Sequence, residues 1–150
     1  MKISGSYSVP ATQERTYQLL QDPTVLAKCM PGTDRLDKLA DDEYEMKMKM
    51  AIAGIGGLFS GRIRLADQNA PASFRLIVEG TGKIGFLKGE GLLRLTPQGE
   101  SDQGVSTDVS YDGDVQVGGT IASVGQRLID TTSKLIIKKF FEKLSEAAVE

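Results

Sequence analysis

The sequence predicts an α+β fold in a single domain spanning residues 1–150. It consists of a seven-stranded curved antiparallel sheet around a long C-terminal helix, with two short helices between strands 1 and 2. Three observations carry this reading. From about residue 33 to 117 apolar and polar residues alternate with a period of two. After Gly118-Gly119 the period switches to 3.6. At 150 residues the chain is long enough for one hydrophobic core, and no repeat, linker or low-complexity stretch divides it.

The elements follow in order. Ile3, Gly5, Tyr7 and Val9 alternate with Lys2, Ser4, Ser6 and Ser8, which is the pattern of a half-buried strand ended by Pro10. Thr12 suits the N-cap of a short helix to about residue 21, with Tyr17, Leu19 and Leu20 on its apolar face. Asp22-Pro23 reads as a second N-cap with proline at the first helical position, opening a helix to about Lys28 that Cys29-Met30-Pro31-Gly32 closes.

Six strands are read between about Thr33 and Val117, and five of them show an inner face. Tyr44, Met46, Met48, Met50 and Ile52 share one face; Phe59, Gly61, Ile63 and Leu65 the next; then Phe74, Leu76, Val78, Gly80 and Gly82. Gly89, Gly91, Leu93 and Leu95 form a fourth face, and Val105, Thr107, Val109, Tyr111, Val115 and Val117 a last. Turn residues separate them at Ala40-Asp41-Asp42, Gly54 to Gly57, Asn69-Ala70-Pro71 and Pro97-Gln98-Gly99. Clean alternation with short turns predicts antiparallel strands with one solvated face. From Thr120 to Ala147 a stripe of Ile121, Val124, Leu128, Thr132, Leu135, Ile136, Phe140 and Leu144 predicts one amphipathic helix of ~40 Å covering the other face.

Composition excludes much chemistry. With no histidine there is no Ser-His-Asp triad, Cys-His dyad or imidazole-ligated zinc. The single cysteine, Cys29, allows neither an internal disulfide nor a four-thiolate metal site, and lacks a histidine to activate it. A net charge of −2 lacks the cationic excess of a nucleic-acid binder. The polar N-terminus and the absence of a long apolar run predict a cytoplasmic protein without a membrane span.

Two motifs fail on context. Gly80-Thr81-Gly82-Lys83-Ile84-Gly85 matches G-x-G-x-x-G, but the strand-like Phe86 to Gly91 follows where a dinucleotide site needs a helix. Asp108, Ser110, Asp112 and Gly113 imitate the start of a calcium loop, yet position 119 is glycine where the closing glutamate belongs. The methionine row and the inner-face glycines are more informative. Methionine is ordinary core and also an adaptable lining for varied apolar partners, while inner glycines leave a bend or an open space. Together they predict a cavity bounded by Met46, Met48, Met50, Phe59, Phe74, Leu76, Gly82, Gly91, Leu93, Tyr111, Leu128, Thr132 and Leu135. These inner faces carry no Asp, Glu, Lys or Arg, which favours holding a ligand over transforming it. The loop from Ala53 to Phe59 joins glycines to Ile55, Leu58 and Phe59, and predicts weak, reversible membrane contact.

The element order resembles the START-like helix-grip (SRPBCC) superfamily. Narrower likeness lies in Cys29-Met30-Pro31-Gly32, Asp41-Asp42-Glu43-Tyr44-Glu45, Gly85-Phe86-Leu87-Lys88-Gly89, and Val117-Gly118-Gly119 running into Gly125-Gln126-Arg127-Leu128-Ile129. These segments resemble the carbon monoxide dehydrogenase G-subunit family over essentially the whole chain. The resemblance implies an accessory protein, with no catalytic part of its own, serving a molybdenum hydroxylase of the carbon monoxide dehydrogenase type. It implies an apolar ligand, quinone- or lipid-like, no intrinsic cofactor, and recruitment of the dehydrogenase to the inner face of the cell membrane. Some longer members carry a further C-terminal hydrophobic tail; the sequence to Glu150 includes none, so peripheral contact is expected rather than anchoring. Two alternatives stay open: a cyclase- or hydrolase-like helix-grip enzyme, and an assembly module with a filled core.

Overall fold

The computed structural model describes residues 1–52, 54–101 and 104–149, with the side chains of residues 34, 35, 50, 52, 100 and 101 outside that description. The chain begins with strand β1 (Lys2–Val9), followed by helices α1 (Gln13–Leu20) and α2 (Pro23–Cys29). Both helix starts use the caps the sequence offers. Thr12 Oγ1 accepts from Arg15 N at 3.1 Å, and Asp22 Oδ1 accepts from Thr24 N at 2.9 Å with Pro23 at the first turn.

Strands β2 (Thr33–Ala40), β3 (Glu43–Ile52), β4 (Ile55–Asn69), β5 (Ser73–Gly82), β6 (Gly85–Ser101) and β7 (Gly104–Gly118) follow. All pair antiparallel in one sheet of order β1-β7-β6-β5-β4-β3-β2. β1 therefore lies beside the last strand, with Gly5 opposite Tyr111, and the two short helices carry the chain from one edge to the other. They are pinned to the sheet by polar bonds from buried or half-buried groups. Gln13 Nε2 donates to the Leu95 carbonyl at 2.9 Å, and the buried Thr107 hydroxyl donates to the Ala11 carbonyl at 2.8 Å.

The expected turn at Pro97-Gln98-Gly99 is instead a bulge inside β6. Gly99 adopts φ 76°, the register shifts between Pro97 and Glu100, and the strand runs on to Ser101. The second difference concerns the C-terminal helix. A 3₁₀ turn (Thr120–Val124) precedes helix α3 (Gln126–Ala148), and Gly125, at φ 94°, separates them.

That break resets the helical phase. Counting on from Ile121 and Val124 puts Leu128 and Leu135 on the core stripe, but they are 43% and 49% exposed. The inward stripe is Ile129, Thr132–Ser133, Ile136–Ile137, Phe140–Phe141 and Leu144, spaced by three and four within α3 itself. Two clusters fill the interior. One joins α1, α2, β1, β7 and the C-terminal half of α3 around Leu20, Val109, Phe141 and Leu144; the other gathers Met46, Met48, Phe59, Ile63 and Ile121.

The phase of α3 gives a direct test. Leu144→Ala removes a fully buried side chain and should cost about 2–5 kcal/mol. Leu135→Ala should change stability by no more than about 0.5 kcal/mol. Urea unfolding of the two variants checks both values, and equal losses would show the phase to be wrong.

Candidate functional site

A cavity of about 240 Å³ lies between the sheet and α3. On the sheet side its wall is built by strands β3 to β7 with Ile3 of β1; on the other side stand Ile129, Thr132, Ser133, Ile136, Ile137, Phe140 and Phe141. Leu20, Leu26, Met30, Pro31 and Ile121 complete it from α1, α2 and the 3₁₀ turn.

Part of the sheet wall is bare backbone. Gly91 pairs directly with Gly113, and Gly89 sits two residues earlier in β6 opposite Val115. A Cβ at Gly89 would meet nothing nearer than 3.9 Å, and one at Gly91 nothing nearer than the Asp112 carbonyl at 3.5 Å. Neither glycine has a positive φ, so the backbone would accept a side chain. Gly113 differs: a Cβ there would stand 2.5 Å from the Glu90 carbonyl oxygen and 3.0 Å from the Gly91 Cα. Close strand approach requires glycine at 113, whereas at 89 and 91 glycine leaves space.

Glu90, Asp112 and Asp114 border this bare patch, but strand parity turns their exposed side chains to the opposite face. There Glu90 pairs with Arg75 at 3.0 Å, and Asp114 lies 3.5 Å from the N-terminal ammonium. The polar side chains lining the cavity are thus the hydroxyls of Tyr111, Thr132 and Ser133.

Three aromatic rings hold one part of the wall. Tyr7 and Phe141 stack at 4.7 Å between centroids, and Tyr111 lies 6.4 Å from each. The Tyr111 hydroxyl lies over Gly5, where a Cβ would stand 2.6 Å from it. Burial, then the neighbouring Tyr7 and Asp130, raises the Tyr111 pKa, so the phenol stays protonated at neutral pH. Tyr17 is raised by burial and by Asp42, and its hydroxyl donates to the Ser73 carbonyl at 3.4 Å. The buried Cys29 thiol is pushed up to about 11, chiefly by burial, with Lys143 opposing and Glu146 adding to the shift. An inert thiol fits a packing role for Cys29.

The structure brings Met48, Phe74, Leu76, Gly91, Leu93, Tyr111 and Thr132 together on the cavity wall. Met46 and Phe59 are buried in the adjoining cluster rather than on that wall. The Met50 side chain lies outside the described residues. Three assignments need correction. Leu128 and Leu135 point to solvent, because the break at Gly125 shifts the helix phase. Gly82 is exposed at the end of β5 against the backbone of Leu58, so it has no part in the cavity floor.

Sequence reasoning also passed over Gly113, which interrupts an otherwise regular valine and tyrosine alternation. Its signal was available in the pairing of Gly91 with Gly113, which becomes visible once the β6–β7 register is known. In the apolar hairpin loop, residue 53 lies outside the described residues, Phe59 is fully buried, and Leu58 is 52% exposed. Among the described residues, no helix is long and apolar enough to cross a membrane.

The geometry can now be set beside known proteins. The family model for the carbon monoxide dehydrogenase G subunit (CoxG) matches residues 5–149. The chain belongs to that family. Among solved structures, this CoxG-family chain is similar to a conserved protein from Geobacillus kaustophilus, with 31% identity, TM-score 0.92, and coverage of 99% of this chain and 95% of that one. A START superfamily protein from Mycobacterium smegmatis matches at 16% identity and TM-score 0.71, over 98% of this chain and 96% of that one. The ZhuI aromatase/cyclase from Streptomyces sp. R1128 matches at 12% identity and TM-score 0.66, over 99% and 93%. These last two show the helix-grip fold alone. Among curated proteins no sequence matches the chain.

Two outcomes are expected here. Gly91→Leu adds apolar volume to open space, so its urea midpoint should equal or exceed the parent's, while Gly82→Leu meets backbone and should cost about 1–3 kcal/mol. The Cys29 thiol should resist iodoacetamide at pH 8 in the folded protein. Because its pKa is raised on folding, its contribution to stability is full below about 9 and is lost as pH rises through about 11. Comparison with Cys29→Ala across that window isolates the contribution.

Proposed function

We propose that this CoxG-family protein binds an apolar small molecule, quinone- or lipid-like, in the cavity between the sheet and α3. The observation that carries this reading is the cavity itself: an interior lined by apolar side chains and by the bare backbone of Gly89 and Gly91, with carboxylates turned away. A domain needing only a packed core would place side chains at those two positions, where the backbone accepts them.

Family membership supports an accessory role beside a carbon monoxide dehydrogenase-type molybdenum enzyme in the cytoplasm. For contact with the inner face of the cell membrane, support comes from Leu58 and Phe86. Both are exposed on neighbouring hairpin ends, with Lys49 opposite Leu58 and Lys83 in the adjoining turn. The reading is a binding protein rather than an enzyme. The aromatase/cyclase likeness is one of fold, and here Asp130, the carboxylate near Tyr111, is paired with Lys134 at 3.1 Å.

Native mass spectrometry before and after organic extraction tests the ligand. The expected result is a noncovalent apolar adduct, or uptake of one equivalent of an apolar fluorophore after extraction, lost in Gly91→Leu. An unliganded mass together with no uptake would remove the proposal. Flotation with anionic liposomes tests the membrane contact: parent protein should float in part, and Leu58→Ser with Phe86→Ser should abolish flotation.

A further inference from the structure

The two edges of the sheet are built differently. β2, one edge, carries Asp34, Arg35, Asp37 and Lys38 among its residues, breaks register twice, and has α2 packed beside it. Charges, bulges and cover keep a sheet edge from pairing with another chain. β1, the other edge, keeps an unbroken register with β7, and Lys2 is its one charge. α3 packs on its inner face at Tyr7, leaving Ser4, Gly5, Ser6 and Ser8 exposed. Met1 and Val115 exchange both backbone bonds, at 2.9 and 2.8 Å, so by ladder alternation Ile3, Gly5 and Tyr7 also turn their amides to β7. The N–H and C=O groups of Lys2, Ser4, Ser6 and Ser8 therefore point away from the sheet. Among the described residues nothing bonds to them.

We propose that the β1 edge is the docking surface for a second copy of this chain. Two β1 strands pair antiparallel about a twofold axis at Gly5 and join the two sheets into one. The strand is its own complement in this register. Ser4 meets the partner's Ser6 and Lys2 meets the partner's Ser8, so all the outward-facing residues exchange backbone bonds. An axis at Ser4 would leave Ser8 unpaired, and one at Ser6 would leave Lys2 unpaired. On the inner face the β-branched Ile3 lies against the partner's Tyr7, a favourable cross-strand pair. Gly5 faces the partner's Gly5 at a position without bonds between them, where the backbones come closest. The single charge never meets itself. Lys2, beside Asp114 in its own sheet, stands across the seam from the partner's Ser8, whose other neighbour is the partner's Asp108.

Sedimentation of the full chain from about 1 to 200 µM tests the association, and the 16.2 kDa species should pass to twice that mass as concentration rises. Ser6→Pro deletes an outward N–H that β7 does not use, so the fold keeps its ladder while each dimer loses a bond from either copy. Its dimer dissociation constant should rise at least about tenfold. Circular dichroism with thermal melting checks that it folds. The variant S4K/S6K sets like charges opposite one another at both central pairs and should give the same loss without touching the backbone. Oxidation reads the register. S4C mixed with S6C should form a disulfide-linked heterodimer, since bonded antiparallel pairs hold their Cα atoms about 5.5 Å apart, and neither variant should cross-link with itself. Cys29 is buried and does not compete. A chain that stays monomeric across the range, or a dimer that both edge variants leave intact, overturns the proposal. Cross-linking of S4C or S6C alone overturns the axis at Gly5.

Discussion

Phe141 sets how far α3 stands from the sheet. Its ring is buried against Tyr7 of β1 and close to Tyr111 of β7, and Leu144 one turn later is fully buried. Three stacked rings and a buried leucine hold the C-terminal half of the helix down on the sheet edge. Toward its N-terminal half the helix presents Ile129, Thr132 and Ser133 to strands that carry Gly89 and Gly91. Side chains too small to fill the gap, opposite a helix already held elsewhere, leave the enclosed volume. The cavity is thus a consequence of where packing is strong and where it is absent.

Glycine serves two opposite ends within this one sheet. At Gly61 a Cβ would run into the Glu79 carbonyl, and at Gly113 into that of Glu90, so these residues permit close backbone approach in a tightly curved sheet. At Gly89 and Gly91 the same residue type has open space before it. Composition cannot separate these uses, because both read as glycine on an inner strand face. Only the distance to the neighbouring strand tells them apart.

Most of the fold was legible because alternation and capping are local. Thr12, Asp22 and Pro23 marked the helix starts, and every strand but β2 showed its inner face in its own residues. The identity of the edge strands was less accessible, since the pairing of β1 with β7 joins residues about a hundred positions apart. The cavity was readable on its sheet side, where Met48, Phe74, Leu76, Gly91, Leu93 and Tyr111 follow from parity. On the helix side Thr132 was found, and Leu128 and Leu135 were misplaced for a definite reason. A single residue, Gly125, interrupts the period, and a hydrophobic stripe counted across it takes in Leu128 and Leu135, which face solvent, and misses Ile129.

The same break separates two parts of the cavity wall. Ile121, in the 3₁₀ turn, belongs with the sheet: its N–H donates to the Ile84 carbonyl in the β5–β6 hairpin at 2.7 Å, and its side chain packs beside Met48 and Phe59. Ile129, eight residues later, belongs with the helix. Between them Gly125 holds φ 94° and supplies no side-chain cap to the start of α3. Ile121 is thereby tied to the hairpin end, while α3 packs on the sheet through Phe141. This end of the cavity is therefore built on the same hairpins that expose Leu58 and Phe86.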